Sequence, residues 1–165
     1  MPMLKHPLPQ FLTGKVLSAT YTRWLQRKAS AHVRRDKKRY SGEINVSSYK
    51  DKIHEAVLQS AGSDKYTGEY LDWSLLSKYN NEKSRDGRRA YKAELALLPT
   101  VDHVESANHK TEFCICSWRT NDAKHDLSVE SFLDLCVRAL KHNGYSVSKD
   151  TKFIGSSPDP AERTF

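Results

Sequence analysis

Two apolar runs separated by a polar stretch constrain this chain most: AELALLPTV at residues 93–101 and FCICSW at 113–118. Both read as strands, with Pro99 holding Leu98 in extended geometry. Residues 108–111 read as the turn between them. A hairpin packed on a helix, with the rest of the chain helical, is an α+β arrangement.

The helical part precedes the hairpin. From about Lys15 to Tyr40, Leu17, Tyr21, Trp24 and Leu25 recur at helical spacing. A second helix is expected from Ser47 or Ser48, a good N-cap, to Ala61, with Gly62 as its stop. A short helix about Trp73 to Tyr79 packs Trp73, Leu75 and Leu76. Residues 80–89, NNEKSRDGRR, read as a polar loop. After the hairpin, Ser128 caps an amphipathic helix lined by Phe132, Leu135, Cys136, Ala139 and Leu140 and closed by His142-Asn143-Gly144. Residues 1–14 look like an extended arm, and residues 145–165 like a tail.

The chain has 165 residues and a net charge of +7. The charge is concentrated on the first helix, at Arg23, Arg27, Lys28, Arg34, Arg35, Lys37, Lys38 and Arg39, broken by a single acid, Asp36. A charge run can be merely a solvated face. One nearly all of one sign, interleaved with Tyr21 and Trp24, fits contact with nucleic-acid phosphates, where Lys and Arg release condensed counterions. No run approaches the ~18 apolar residues of a membrane span, and the start, MPMLKHPLPQFL, has no apolar signal-peptide core. Three cysteines, two of them at Cys114 and Cys116 on one strand face, read as reduced thiols in a cytoplasmic protein.

The chemistry centres on VDHV at 101–104. Adjacent strand residues face opposite ways, so Asp102 and His103 serve two different sides. Asn121 and Lys124 open the following helix and can meet the strand end. A carboxylate and an amide oxygen are hard ligands suited to Mg²⁺ or Mn²⁺, and an imidazole takes a proton from water near neutral pH. Together these parts suffice for metal-assisted phosphodiester hydrolysis.

VDHV, a second strand, then NDAKHD resembles the HNH nucleases, whose ββα-metal module carries Asp-His on its first strand and Asn-x-x-Lys on its helix. The resemblance covers about Leu95 to Leu140. It implies that His103 is the general base and that Asp102 and Asn121 hold one divalent metal. Arg119, Lys124 and the basic helix would bind DNA phosphates. Cleavage would leave 5′-phosphate and 3′-hydroxyl ends, as in restriction-type enzymes. On this reading the chain divides into the arm, a helical basic part at 15–92, an HNH module at 93–144 and the tail. One site cuts one strand, so double-strand cleavage would need a homodimer or two nicks.

Two departures from the family matter. Many HNH proteins bracket the module with zinc-binding Cys pairs; here the matching segments are Asp64 to Gly68 and Ser117 to Asn121, with Asp64, Thr67, Ser117 and Thr120 at the thiolate positions. Losing all four together implies no structural zinc, short polar side chains clipping the segments instead, and residues 64–68 packed beside 117–121. The Asn that usually orients the base has no clear counterpart; Asn108 and Glu112 are both candidates. His125 reads as a surface residue. The rival reading is a non-catalytic basic nucleic-acid-binding protein with a structural ββα unit.

Overall fold

The computed structural model describes residues 5–38, 44–78, 80–104 and 112–149, without the side chains of 81, 84 and 88. Its elements are α1 (Ser18–Asp36), α2 (Val46–Ser60), α3 (Asn81–Glu94), β1 (Pro99–Val104), β2 (Glu112–Ser117), α4 (Trp118–Lys124) and α5 (Val129–His142), with 3₁₀ turns at Gln10–Leu12 and Trp73–Leu75. Helices and one antiparallel hairpin make the chain α+β.

Helix α1 buries Tyr21, Trp24, Leu25, Ala29, His32, Val33 and Asp36, a stripe at three- and four-residue spacing. It packs on α2, which buries Tyr49, Ile53, Ala56 and Val57. Asn45, rather than a serine, caps α2, its side chain accepting from the Ser48 N–H at 2.9 Å. Helix α2 ends where Ala61 and Gly62 turn left-handed, at φ 47° and 93°; Gly62 accommodates this without strain. The hairpin adds Val101, Phe113 and Ile115 to the same core. Burying each large apolar side chain contributes about 1.5–3 kcal/mol. The helical part and the hairpin therefore share one core, with Val101, Phe113 and Ile115 packed among residues of α1 and α2. The first compact unit spans Met1–Val129; Glu130–Phe165 is a second.

Three sequence expectations change. Part of the supposed arm is packed: Leu12 is fully buried, and Leu8 and Phe11 lie against the core. The supposed polar loop at 80–89 is the first part of α3, begun by Asn80, whose side chain accepts from Glu82 and Lys83 N–H groups. That capping outweighs the lack of an apolar stripe in the sequence. Strand β1 starts only at Pro99, since residues 93–98 finish α3 and turn. Asn108, Arg39 and most of the tail lie outside the described residues. Among the described residues no helix is long and apolar enough to cross a membrane.

The hairpin register pairs Asp102 with Cys114 and His103 with Phe113. Val101, His103, Phe113 and Ile115 turn toward α1 and α2. Thr100, Asp102, Cys114 and Cys116 occupy the other face.

Candidate functional site: the end of β1

His103 lies on the helical side. Its Nε2 is 2.9 Å from Oδ2 of Asp36, the last residue of α1. Asp36 is fully buried, and the same oxygen accepts from the Tyr49 hydroxyl at 2.7 Å. Its other oxygen, Oδ1, is buried with no hydrogen-bond partner among the described residues. A carboxylate on Nε2 fixes the proton there and leaves Nδ1 as the basic nitrogen. The imidazole keeps partial contact with solvent, its side chain 31% exposed.

His32, also on α1, packs its ring 4.8 Å from that of His103. Burial, then the charge of Arg35, pushes the His32 pKa down to about 2, so it stays neutral. The Arg35 guanidinium donates to its Nδ1 at 2.9 Å.

Asp102 faces the other way. Its Oδ2 accepts from the Tyr66 hydroxyl at 2.8 Å and pairs with the Lys124 ammonium at 3.1 Å. Lys124, expected to bind phosphate, is 4% exposed. The short helix α4 turns it inward because Asp102 on the hairpin is the charge that compensates it. Burial, with Cys114 and Asp102 beside it, raises the Tyr66 pKa, so the phenol remains a donor. Burial likewise pushes the Cys114 thiol up to about 11 and raises that of Cys116 further, which makes both poor thiolates.

The segments expected to meet do so. Buried Asp64 accepts through Oδ2 from the Ser117 N–H at 2.8 Å and the Thr120 hydroxyl at 2.7 Å. Its Oδ1 accepts from the N–H groups of Tyr66 and Thr67, and Ser117 and Thr120 hydroxyls lie 2.8 Å apart. Burial would raise the Asp64 pKa, but the bonds from Ser117, Thr120 and Tyr66 hold it below the ordinary carboxylate value. The Lys65 N–H also reaches the Ile115 carbonyl at 2.9 Å. This clip positions Tyr66 under Asp102.

The remaining candidates fall into groups. Asn121 opens into a groove between α1 and the β1–α4 junction. Arg27, Lys28, Arg34 and Arg35 border that groove and its continuation, while Arg23 on α1 and Lys37 and Lys38 just after it are exposed. Arg119 is paired with Glu69. Glu112 is exposed at the start of β2, opposite Val104. His125 is exposed, as expected, beside Asp126. The residue missed by sequence reasoning is Asp36, whose only signal was its being the single acid in a basic helix.

Asp102 and Asn121 both offer hard oxygen donors, the kind that Mg²⁺ takes. Asp102 Oδ1 and the Asn121 amide carry no protein hydrogen bond among the described residues, and Mg²⁺ commonly takes one or two protein oxygens and keeps its waters. Lys124 already neutralises Asp102 from the Oδ2 side. The described residues contain no group of three or more His, Cys, Asp or Glu placed to hold a metal.

Comparison with protein-family models, curated proteins and solved structures gave no match.

Proposed function

We propose that the protein is a divalent-metal-dependent DNA endonuclease of the HNH type, acting in the cytoplasm in the manner of a restriction enzyme. The observation that carries the reading is the division of labour at the end of β1, with His103 on the buried carboxylate of Asp36 and Asp102 on the opposite face. The ββα order and the contact between 64–68 and 117–121 support the resemblance. On this reading, clipping by Asp64 takes the role that zinc plays in HNH proteins with Cys pairs.

In this reading His103 Nδ1 takes a proton from water as the water oxygen bonds to phosphorus. The bond from phosphorus to the 3′ oxygen breaks, and solvent protonates that oxygen. Asp36 holds the imidazole in one tautomer and stabilises its protonated form, as a carboxylate does for a histidine base. Tyr49 fixes the carboxylate. A divalent ion held by Asp102 and Asn121 would supply charge stabilisation at the phosphate.

The Lys124–Asp102 pair favours a second reading, a nucleic-acid-binding protein without catalysis, since the would-be metal ligand already has a cation. Supercoiled plasmid incubated with Mg²⁺ separates the two. Wild-type protein is expected to nick or linearise it, and His103→Ala to bind without cutting. If both proteins retard the plasmid on a gel yet leave it supercoiled, the enzyme reading fails and the binding reading stands.

A further inference from the structure

Helix α1 carries more positive charge than its own surroundings compensate. Among the described residues, the Lys28 ammonium makes one hydrogen bond, to Thr100 Oγ1 at 2.9 Å, and no ion pair. Arg27 and Arg34 have no carboxylate partner there either, and Arg35 reaches only His32. Elsewhere in the same unit Lys5, Lys92, Arg119 and Lys124 each meet an acid. The uncompensated cations lie on one side of α1 as two adjacent pairs, Arg27–Lys28 and Arg34–Arg35, each about one helical turn from Ala31.

These cations face a cavity. A groove of about 570 Å³ runs between α1 and the β1–α4 junction, bordered by Arg27, Lys28, Thr100, Trp118 and Asn121. It continues as a second hollow of about 440 Å³ that shares Lys28, Ala31, Thr100 and Asn121 and reaches His32 and Arg35. His32 stacks edge-on against His103. The track therefore leads from Trp118 toward the proposed base. Burial beside Arg27 and Arg35 pulls the Lys28 pKa down to about 8, as expected for a cation held among cations with no anion present.

We propose that this groove seats a backbone phosphate of the nucleic-acid strand, with Lys28 as its central cation, Arg27 and Arg35 on its flanks, and the Asn121 amide donating to the phosphate. The inference rests on the nucleic-acid reading above and assigns it a path. A tetrahedral anion would take the two ammonium N–H groups that Thr100 does not use. The small side chain of Ala31 leaves room for the strand against α1. The exposed Arg23, Lys37 and Lys38 would then lie beside the path rather than in it.

The test uses full-length His103→Ala protein, so that DNA is bound but not cut, and a short labelled duplex followed by fluorescence anisotropy. Lys28→Gln is expected to weaken binding about tenfold, equally for unrelated sequences, and to reduce the salt slope by about one. Ala31→Glu places a carboxylate in the groove from an exposed helical position and disturbs no hydrogen bond; it is expected to fold normally by circular dichroism and to weaken binding at least as much. Lys28→Arg should bind like the parent, and Lys52→Gln, on an exposed face of α2, should change nothing. Duplex binding untouched by both Lys28→Gln and Ala31→Glu overturns the groove while leaving nucleic-acid binding intact. Calorimetric binding of inorganic phosphate that Ala31→Glu abolishes, with duplex affinity unchanged, assigns the groove to free phosphate and likewise overturns the strand path. A parent protein that binds no duplex at all removes the nucleic-acid reading together with the groove.

Discussion

Asp36 is the residue whose environment is hardest to explain by stability alone. A fully buried carboxylate with one oxygen unpartnered among the described residues costs free energy, since an unsatisfied buried acceptor forfeits about 1–3 kcal/mol. Such a group persists where it does a job, and its two bonds identify the job as holding His103 against Tyr49. Asp36→Asn keeps the shape but presents either an amide N–H or a weaker acceptor to Nε2. We expect cleavage by this variant to fall by up to about 10⁴-fold, the loss that follows when the carboxylate beside a histidine base becomes an amide. Nitrogen NMR of the His103 ring should show the Nε2–H tautomer in the wild type and a mixture in the variant, a change that simple loss of packing would not produce. Tyr49→Phe, which removes one bond but leaves the carboxylate, should fall less. A variant with wild-type rate and tautomer would dismiss Asp36 as a positioning residue. The sequence made His103 and Asp102 visible because the pair sits at a strand end, where alternation separates them. Asp36 lies 67 positions away, and only the packing of α1 on the hairpin brings it near.

At the scale of elements, the junction between β2 and α4 depends on Asp64. Five residues of loop reach across to cap a seven-residue helix that is too short to be stable alone. Asp64→Ala would leave the Ser117 N–H and the Thr120 hydroxyl without this acceptor, and we expect a loss of about 2–4 kcal/mol in urea unfolding, given that bonds to a charged acceptor contribute about 1.5–3 kcal/mol each. The same group gives a pH signature. Its folded pKa lies below the ordinary value, so its contribution is fully present above the unfolded value near 3.9 and is lost as pH falls through the folded one. The stability advantage of wild type over Asp64→Asn should thus be constant from about pH 5 upward and shrink below about pH 4. An advantage that persisted unchanged to pH 2 would show that the charge on Asp64 contributes nothing. This contact was legible in the sequence because two matched segments had lost their thiolates together. Helix α3 was not legible: NNEKSRDGRR has no apolar stripe, and what starts the helix is a single side chain, that of Asn80, whose capping looks the same in sequence as a turn residue.

At the scale of the whole molecule, the net charge of +7 is distributed unequally, and its distribution sets a measurable quantity. Cations already paired with carboxylates release few counterions when a polyanion arrives, whereas Arg27, Lys28, Arg34 and Arg35 have no such partner among the described residues. If Lys28 takes the phosphate seated in the groove and Arg27, Arg34 and Arg35 each neutralise a neighbouring one on the same strand, the logarithm of the binding constant should fall with the logarithm of salt concentration at a slope of about −3.6, from −0.9 per contact on duplex DNA. Affinity would then drop about two orders of magnitude between 50 and 200 mM salt, by the same relation. Engagement of the exposed Arg23, Lys37 and Lys38 as well would steepen the slope toward about −6. The two values distinguish a strand seated in the groove from one spread over the whole helix. A slope near zero would mean that the basic face of α1 is only a solvated surface, and the charge pattern that first pointed to nucleic acid would lose its meaning.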